Sequence, residues 1–361
     1  MPNKTTPLQL LCALFVSRLL VSFTYVSVSG GRIDGGAAAL GAVFAGGVLA
    51  LCLLPMKRYL NTENGGLLIR ARRVSPALCR VCAALYAAGF LFTAFSAALR
   101  IELFTGTVLF RDDRNHWLTA LLLLGAAYGA YKGLPAVSRS AVVVAALTAA
   151  GMVVLLCVLA GRLRWEYLVF PFAEGVFPLL RQTVASIGGT AELAILPALA
   201  GRLSCRFRKR DLLFLPVCFL AAAILALLDR LILGAYGETE LFPVYALSSQ
   251  AELGDVRLDA LFTAIWILCA MIKVSLYLCA VLAVLEDGFG VRDKRIPLAV
   301  SCAVIAGAAV ACSFRVGSAA VFSSPLLPLL SLTLTLLVPL AVTAGERIHS
   351  RRTVLRKGGA V

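Results

Sequence analysis

Three ionisable residues fall inside apolar stretches of this 361-residue chain. They are Arg18 in LLCALFVSRLLVSFTY, Glu192 in SIGGTAELAILPAL and Lys273 in AIWILCAMIKVSLYL. A charge at the centre of a membrane helix costs a few kcal/mol on insertion scales, so such residues face a protein interior or a wet cavity and find partners. A carboxylate and an ammonium can neutralise each other, and a guanidinium can grip an anion in two places. For Arg18, next to Ser17, two readings stand side by side. It pairs with a neighbouring acid or with helix-end carbonyls, or it faces an anionic group of a ligand.

Glu192 is preceded by Ser186, Gly188, Gly189 and Thr190. Two glycines weaken a helix by about 1 kcal/mol each in water, although in lipid glycine also serves close helix packing. Irregular backbone at membrane depth is tolerated only where protein or a cavity surrounds it. A break at Gly188-Gly189 would present amides and carbonyls, with their helix-end dipoles, to a small ligand. Around Lys273, the residues Asp259, Thr263, Trp266, Ala270, Lys273 and Tyr277 recur at helical spacing and share one face. That seam either locks helices together through a Lys–Glu pair or also lines a ligand or ion path.

The elements that carry these residues are membrane spans. The chain is 60% hydrophobic, with a mean hydropathy of +0.91 and 15% charged residues, where soluble domains carry roughly 25%. Apolar runs near the ~20 residues needed to cross a bilayer lie at about 8–29, 36–55, 77–99, 116–132, 138–161, 176–201, 211–236, 258–285, 297–314 and 325–344. The fourth is short and the eighth long. The first lacks a small-residue cleavage site and reads as a first helix rather than a removed signal peptide. The N-terminal arm, the even-numbered loops and the tail carry 21 Lys and Arg, against 8 in the odd-numbered loops. By the positive-inside rule both termini are cytoplasmic.

The net charge of +15 is spread over short loops with no aromatic-rich basic surface, so it argues for membrane orientation and against nucleic acid. Eleven cysteines fall mostly in apolar runs and read as small buried hydrophobes. The CxxC of Cys79 and Cys82 has no companion pair, so no metal or cofactor is expected. No GxxxxGK[ST], GxSxG, HExxH or GxGxxG pattern is present, and the two histidines, His116 and His349, are far apart in the chain. The chain does not read as an enzyme. The loop GETELFPVYALSSQAELGDVRLD forms either a short interfacial helix or a plain connector.

Ten spans divide into two halves of five, about 8–161 and 176–344, with a basic tail over 345–361. An odd number per half makes the halves inverted. Span six then corresponds to span one, and both carry a polar interruption, Ser17-Arg18 in one and Ser186 to Glu192 in the other. Paired interruptions of this kind point to a transporter-type site at the bilayer midplane. The fold class is therefore an all-α polytopic membrane protein forming one integral domain, 1–361.

The order of local patterns resembles the spore germination B-subunit family, the endospore germination permeases of the amino acid–polyamine–organocation superfamily. TPLQLLCALFVSRLL is similar to that family's first span, and Asp34 in GGRIDGG resembles the acidic position before span two. GGTAELAILPAL is similar to its glycine–glutamate segment, and RLDALFTAIWILCAMIKVSLYL to its Asp…Trp…Lys pattern in span eight. The resemblance implies a LeuT-like 5+5 inverted repeat and a nutrient-sensing subunit of a germinant receptor. It implies A and C subunits as partners in the spore inner membrane or cytoplasmic membrane. It also implies an amino acid or similar small nutrient bound by Ser17, Arg18, Gly188, Gly189, Thr190, Glu192 and Lys273. Where the family has glycine and small residues in span one, this chain has Ser17-Arg18, which favours an anionic ligand group. An independent amino acid transporter, proton-coupled through Glu192, is the alternative.

Overall fold

The structure is a computed structural model that describes residues 4–23, 35–60, 66–109, 116–168, 175–188, 191–205, 207–208, 211, 214–237, 240–253, 256–315, 321–322 and 326–358. Among these, the elements are α1 Pro7–Phe23, α2 Gly35–Leu60, α3 Leu67–Val74, α4 Pro76–Phe104, α5 Trp117–Lys132 and α6 Leu134–Leu159. They continue as α7 Val176–Gly188, α8 Glu192–Leu199, α9 Phe214–Leu233, α10 Pro243–Gln250, α11 Asp259–Phe289, α12 Arg295–Arg315, α13 Leu326–Leu332 and α14 Val338–Gly358. The strands among the described residues are a two-residue hairpin, Glu252–Leu253 with Val256–Arg257.

All ten expected spans coincide with helices. Eight helical stretches among the described residues are long and apolar enough to cross a membrane, and Pro7–Ser22 is a shorter apolar helix. The chain is an integral membrane protein. The segment read as one span six is two helices, α7 and α8. Ala191 is a turn residue, and the Ala194 amide bonds back to Ala191 O at 3.1 Å, one residue tighter than an α-helix.

Span one differs from its expected counterpart. α1 runs through Ser17-Arg18 without interruption, because neither residue type forbids helical backbone. Where described, the first expected span ends at Phe23. Gly189, Thr190 and Asp34 lie outside the described residues.

Packing follows the two halves. Exchanging α1, α2, α4, α5 and α6 for α7/α8, α9, α11, α12 and α13/α14 maps the α5–α11 contact onto α12–α4. It likewise maps α1–α6 onto α7–α13 and α2–α7 onto α9–α1, while α2–α9 and α4–α11 map onto themselves. α11 is the central post. Its apolar window is 83% buried, against 22% for α12, and it packs on α4, α5, α6 and α1. The Leu, Ile, Val and Cys side of α11 therefore meets other helices over Cys269–Val284 rather than lipid.

Close approach of α4 and α11 rests on Gly288. A Cβ there would sit 2.2 Å from Ala83 Cβ, on a rigid neighbour. Small residues let membrane helices approach in this way. We expect Gly288→Ala to destabilise the protein by about 1–3 kcal/mol, the range for overpacking, seen as a lowered melting temperature in detergent. An unchanged melting temperature would mean that the two helices do not meet there.

Among the described residues, two stretches of π-helix interrupt the bundle, Thr105–Leu109 after α4 and Thr333–Leu337 between α13 and α14. A π-turn leaves carbonyls in need of donors. Tyr86 Oη, fully buried, donates to Leu334 O at 3.0 Å.

Candidate functional site

The three charges carried by the apolar spans converge. Lys273 Nζ donates to Glu192 Oε1 at 2.6 Å and to Ser17 O at 3.1 Å, while Ser17 Oγ donates to the same Glu192 oxygen at 3.1 Å. Ser17, Glu192 and Lys273 are all buried. Glu192 occupies the first turn of α8, where the exposed amides and positive dipole end of a helix favour a carboxylate. α11 brings Lys273 to it because residues 266, 270, 273 and 277 fall on one face, and Tyr277 lies one turn on with Lys273 Nζ 5.6 Å from its ring centroid.

Arg18 points into the same interior. Its guanidinium lies 4.9 Å from the Phe219 ring centroid on α9, and the residue is 5% exposed. Its Nε and Nη1 have no hydrogen-bond partner, nor has Glu192 Oε2. Of the two readings of Arg18, pairing with a nearby acid is thus not realised as a direct contact, although Glu192 lies within electrostatic range.

Arg100 was not anticipated. Span three was expected to end at 99, which left Arg100 in a loop, but α4 continues to Phe104. Arg100 is buried, stacks 4.3 Å from the Phe322 ring centroid and lies within electrostatic range of Arg18, Lys273 and Glu192. Three cations thus lie within electrostatic range of Glu192, the one acidic group that the described residues bring to this cluster. Gly188 ends α7, and Glu192 of the ion pair opens α8 four positions later.

Ion pairs also mark the two ends of the bundle. At one, Arg202 bonds Glu286 and Asp287 at 2.9 Å each and Ala283 O at 3.2 Å, and Arg72 of α3 donates to Asp287 O at 2.6 Å. At the other, Glu102 accepts from Thr119 and contacts His116, tying α4 to α5.

A family model described as a spore germination protein matches residues 9–314. No curated protein sequence matches the chain. Among solved structures, the chain is similar to Mhp1, a nucleobase-cation-symport-1 family transporter in a closed conformation with bromovinylhydantoin bound. The TM-score is 0.56 at 16% identity, covering 91% of this chain and 76% of that one. The likeness establishes a LeuT-type transporter fold.

Proposed function

The chain belongs to the spore germination protein family, and from that premise we propose that it is the nutrient-sensing membrane subunit of a germinant receptor. It binds a small nutrient such as an amino acid at the midplane. The observation that carries the reading is the buried cluster of Ser17, Glu192 and Lys273 with the unpartnered donors of Arg18 beside it. A nutrient carboxylate would meet Arg18 Nε and Nη1. A nutrient ammonium would compete with Lys273 for Glu192, whose Oε2 is still unused. Gly188, Gly189 and Thr190 would add backbone amides and carbonyls from the broken span.

In this reading the repeats are about 8–161 and 176–344, the tail is 345–361, and both termini are cytoplasmic. The Arg202–Glu286–Asp287 network then closes the cytoplasmic end and the Glu102–His116 pair lies outside. Ligand binding between the halves biases their relative position, and A and C subunits read that change.

An independent, proton-coupled amino acid transporter is the second reading. The transporter fold supports it, with Glu192 as proton carrier. Both readings require that amino acids raise the melting temperature of the purified protein saturably. If amino acids, nucleosides and sugars all leave it unchanged, both fail. Labelled amino acid uptake into liposomes holding this protein alone would favour transport. Binding without flux, together with loss of nutrient response in spores lacking the protein, would favour the receptor.

A further inference from the structure

The face of α11 that carries Lys273 continues toward Asp259 into a second, chemically different site. Phe104, Phe242, Val244, Tyr245, Phe262, Thr263 and Trp266 surround a cavity. Phe104 lies 4.4 Å from Trp266 between ring centroids, and meets Phe242 and Tyr245 edge-on at 5.0 and 5.5 Å. Among the described residues, no charged side chain lines the space. Trp266, one of the lining residues, is 5% exposed, yet its buried indole Nε1–H has no acceptor. A buried indole N–H normally finds one. Two other lining residues carry a polar group: Thr263 Oγ1 already donates its proton to Asp259 O at 2.8 Å, and partly exposed Tyr245 brings its hydroxyl.

We propose that this cavity binds an uncharged small molecule, or an uncharged ligand group, with one oxygen acceptor on an apolar body. The oxygen, a carbonyl or hydroxyl, accepts from Trp266 Nε1, and the apolar body lies among Phe104, Phe242, Tyr245 and Phe262. The cavity as it stands, about 20 Å³, has room for one water-sized group. Seating a larger body requires α10, which carries Val244 and Tyr245 and is capped by Phe242, to move outward. Tyr245 and Thr263 are partly exposed and mark the open side.

Seven residues separate Trp266 from Lys273, about 10.5 Å along the helix at 1.5 Å per residue. The two sites therefore select differently: charged groups at the ion pair, neutral ones here. This inference does not depend on the germination reading.

The chain's own tryptophans supply the test. Of its three, Trp117 and Trp165 are 49% and 67% exposed. A Trp117→Phe/Trp165→Phe protein reports from Trp266 alone and leaves every lining residue unchanged. Cyclohexanecarboxamide, which carries an acceptor, should shift Trp266 emission saturably and at least tenfold more tightly than methylcyclohexane, which carries none. Val244→Phe in the same background fills the cavity and should abolish the response. In the otherwise native chain, Trp266→Phe should remove the amide's advantage over methylcyclohexane in a thermal-shift titration. Equal responses to the two probes, a response that survives Val244→Phe, or none at all would overturn the proposal. The last would assign the cavity to a single water.

Discussion

Lys273→Met should be among the most damaging single substitutions in this protein, and Glu192→Gln added to it should restore most of the loss. Lys273 Nζ and Glu192 Oε1 are 2.6 Å apart, and both side chains are almost wholly enclosed. Removing the ammonium leaves a buried carboxylate with Ser17 Oγ as its remaining described donor. Breaking one side of a buried pair costs about 3–5 kcal/mol, most of it the stranded charge. Gln at 192 removes the charge while keeping an oxygen for Ser17, so the double variant should melt within a few degrees of the native protein. Yet it should show no nutrient response, because both members of the ion pair beside Arg18 are gone. Melting curves for the four members of this cycle supply the coupling energy, and the nutrient response supplies the function. A double variant that is stable and still responds would reduce the pair to a structural lock.

The second large effect has the opposite sign for stability. Arg18→Met should leave the ligand-free protein as stable as before, or more so by about 1–2 kcal/mol, and should weaken binding of a carboxylate-bearing nutrient about 10- to 100-fold. Burying donors without partners costs about 1–3 kcal/mol each, and Arg18 has two. Against this stands the stack on Phe219 at 4.9 Å, worth about 0.5–2 kcal/mol. The affinity loss follows from hydrogen bonds to charged groups, at about 1.5–3 kcal/mol and about 1.4 kcal/mol per tenfold. Arg18→Lys should fall between, since an ammonium keeps the charge and loses the fork. A strong loss of stability in Arg18→Met would mean that the guanidinium holds the bundle together.

The positions of the spans were legible because lipid forces long apolar runs. The Ser17, Arg18, Glu192 and Lys273 cluster was legible for a related reason: a mid-membrane charge must find company. Other features follow from contacts that no local pattern encodes. α3 reads in sequence as part of a basic loop, yet Leu67, Leu68 and Ala71 are buried beneath Arg72 and Arg73. An eight-residue amphipathic helix is too short for its period to stand out from a charge run. Arg100 was lost to a boundary error of a few residues, because apolarity fades at a helix end while hydrogen bonding continues. The aromatic cavity joins Phe104, Phe242 and Trp266 from three separated segments, and only the Trp266 face was visible beforehand. The π-turns at Thr105–Leu109 and Thr333–Leu337 carry no propensity signature and are set by packing.

The central claim is that Arg18, beside the Glu192–Lys273 pair, receives the anionic group of a small nutrient. A four-way comparison tests it most directly: binding of an amino acid and of its amide, each to the native protein and to Arg18→Met, read by ligand-induced thermal shift. The native protein should prefer the carboxylate by about 10- to 100-fold, and that preference should vanish in Arg18→Met. A preference for the carboxylate that persists undiminished without the guanidinium would contradict the assignment.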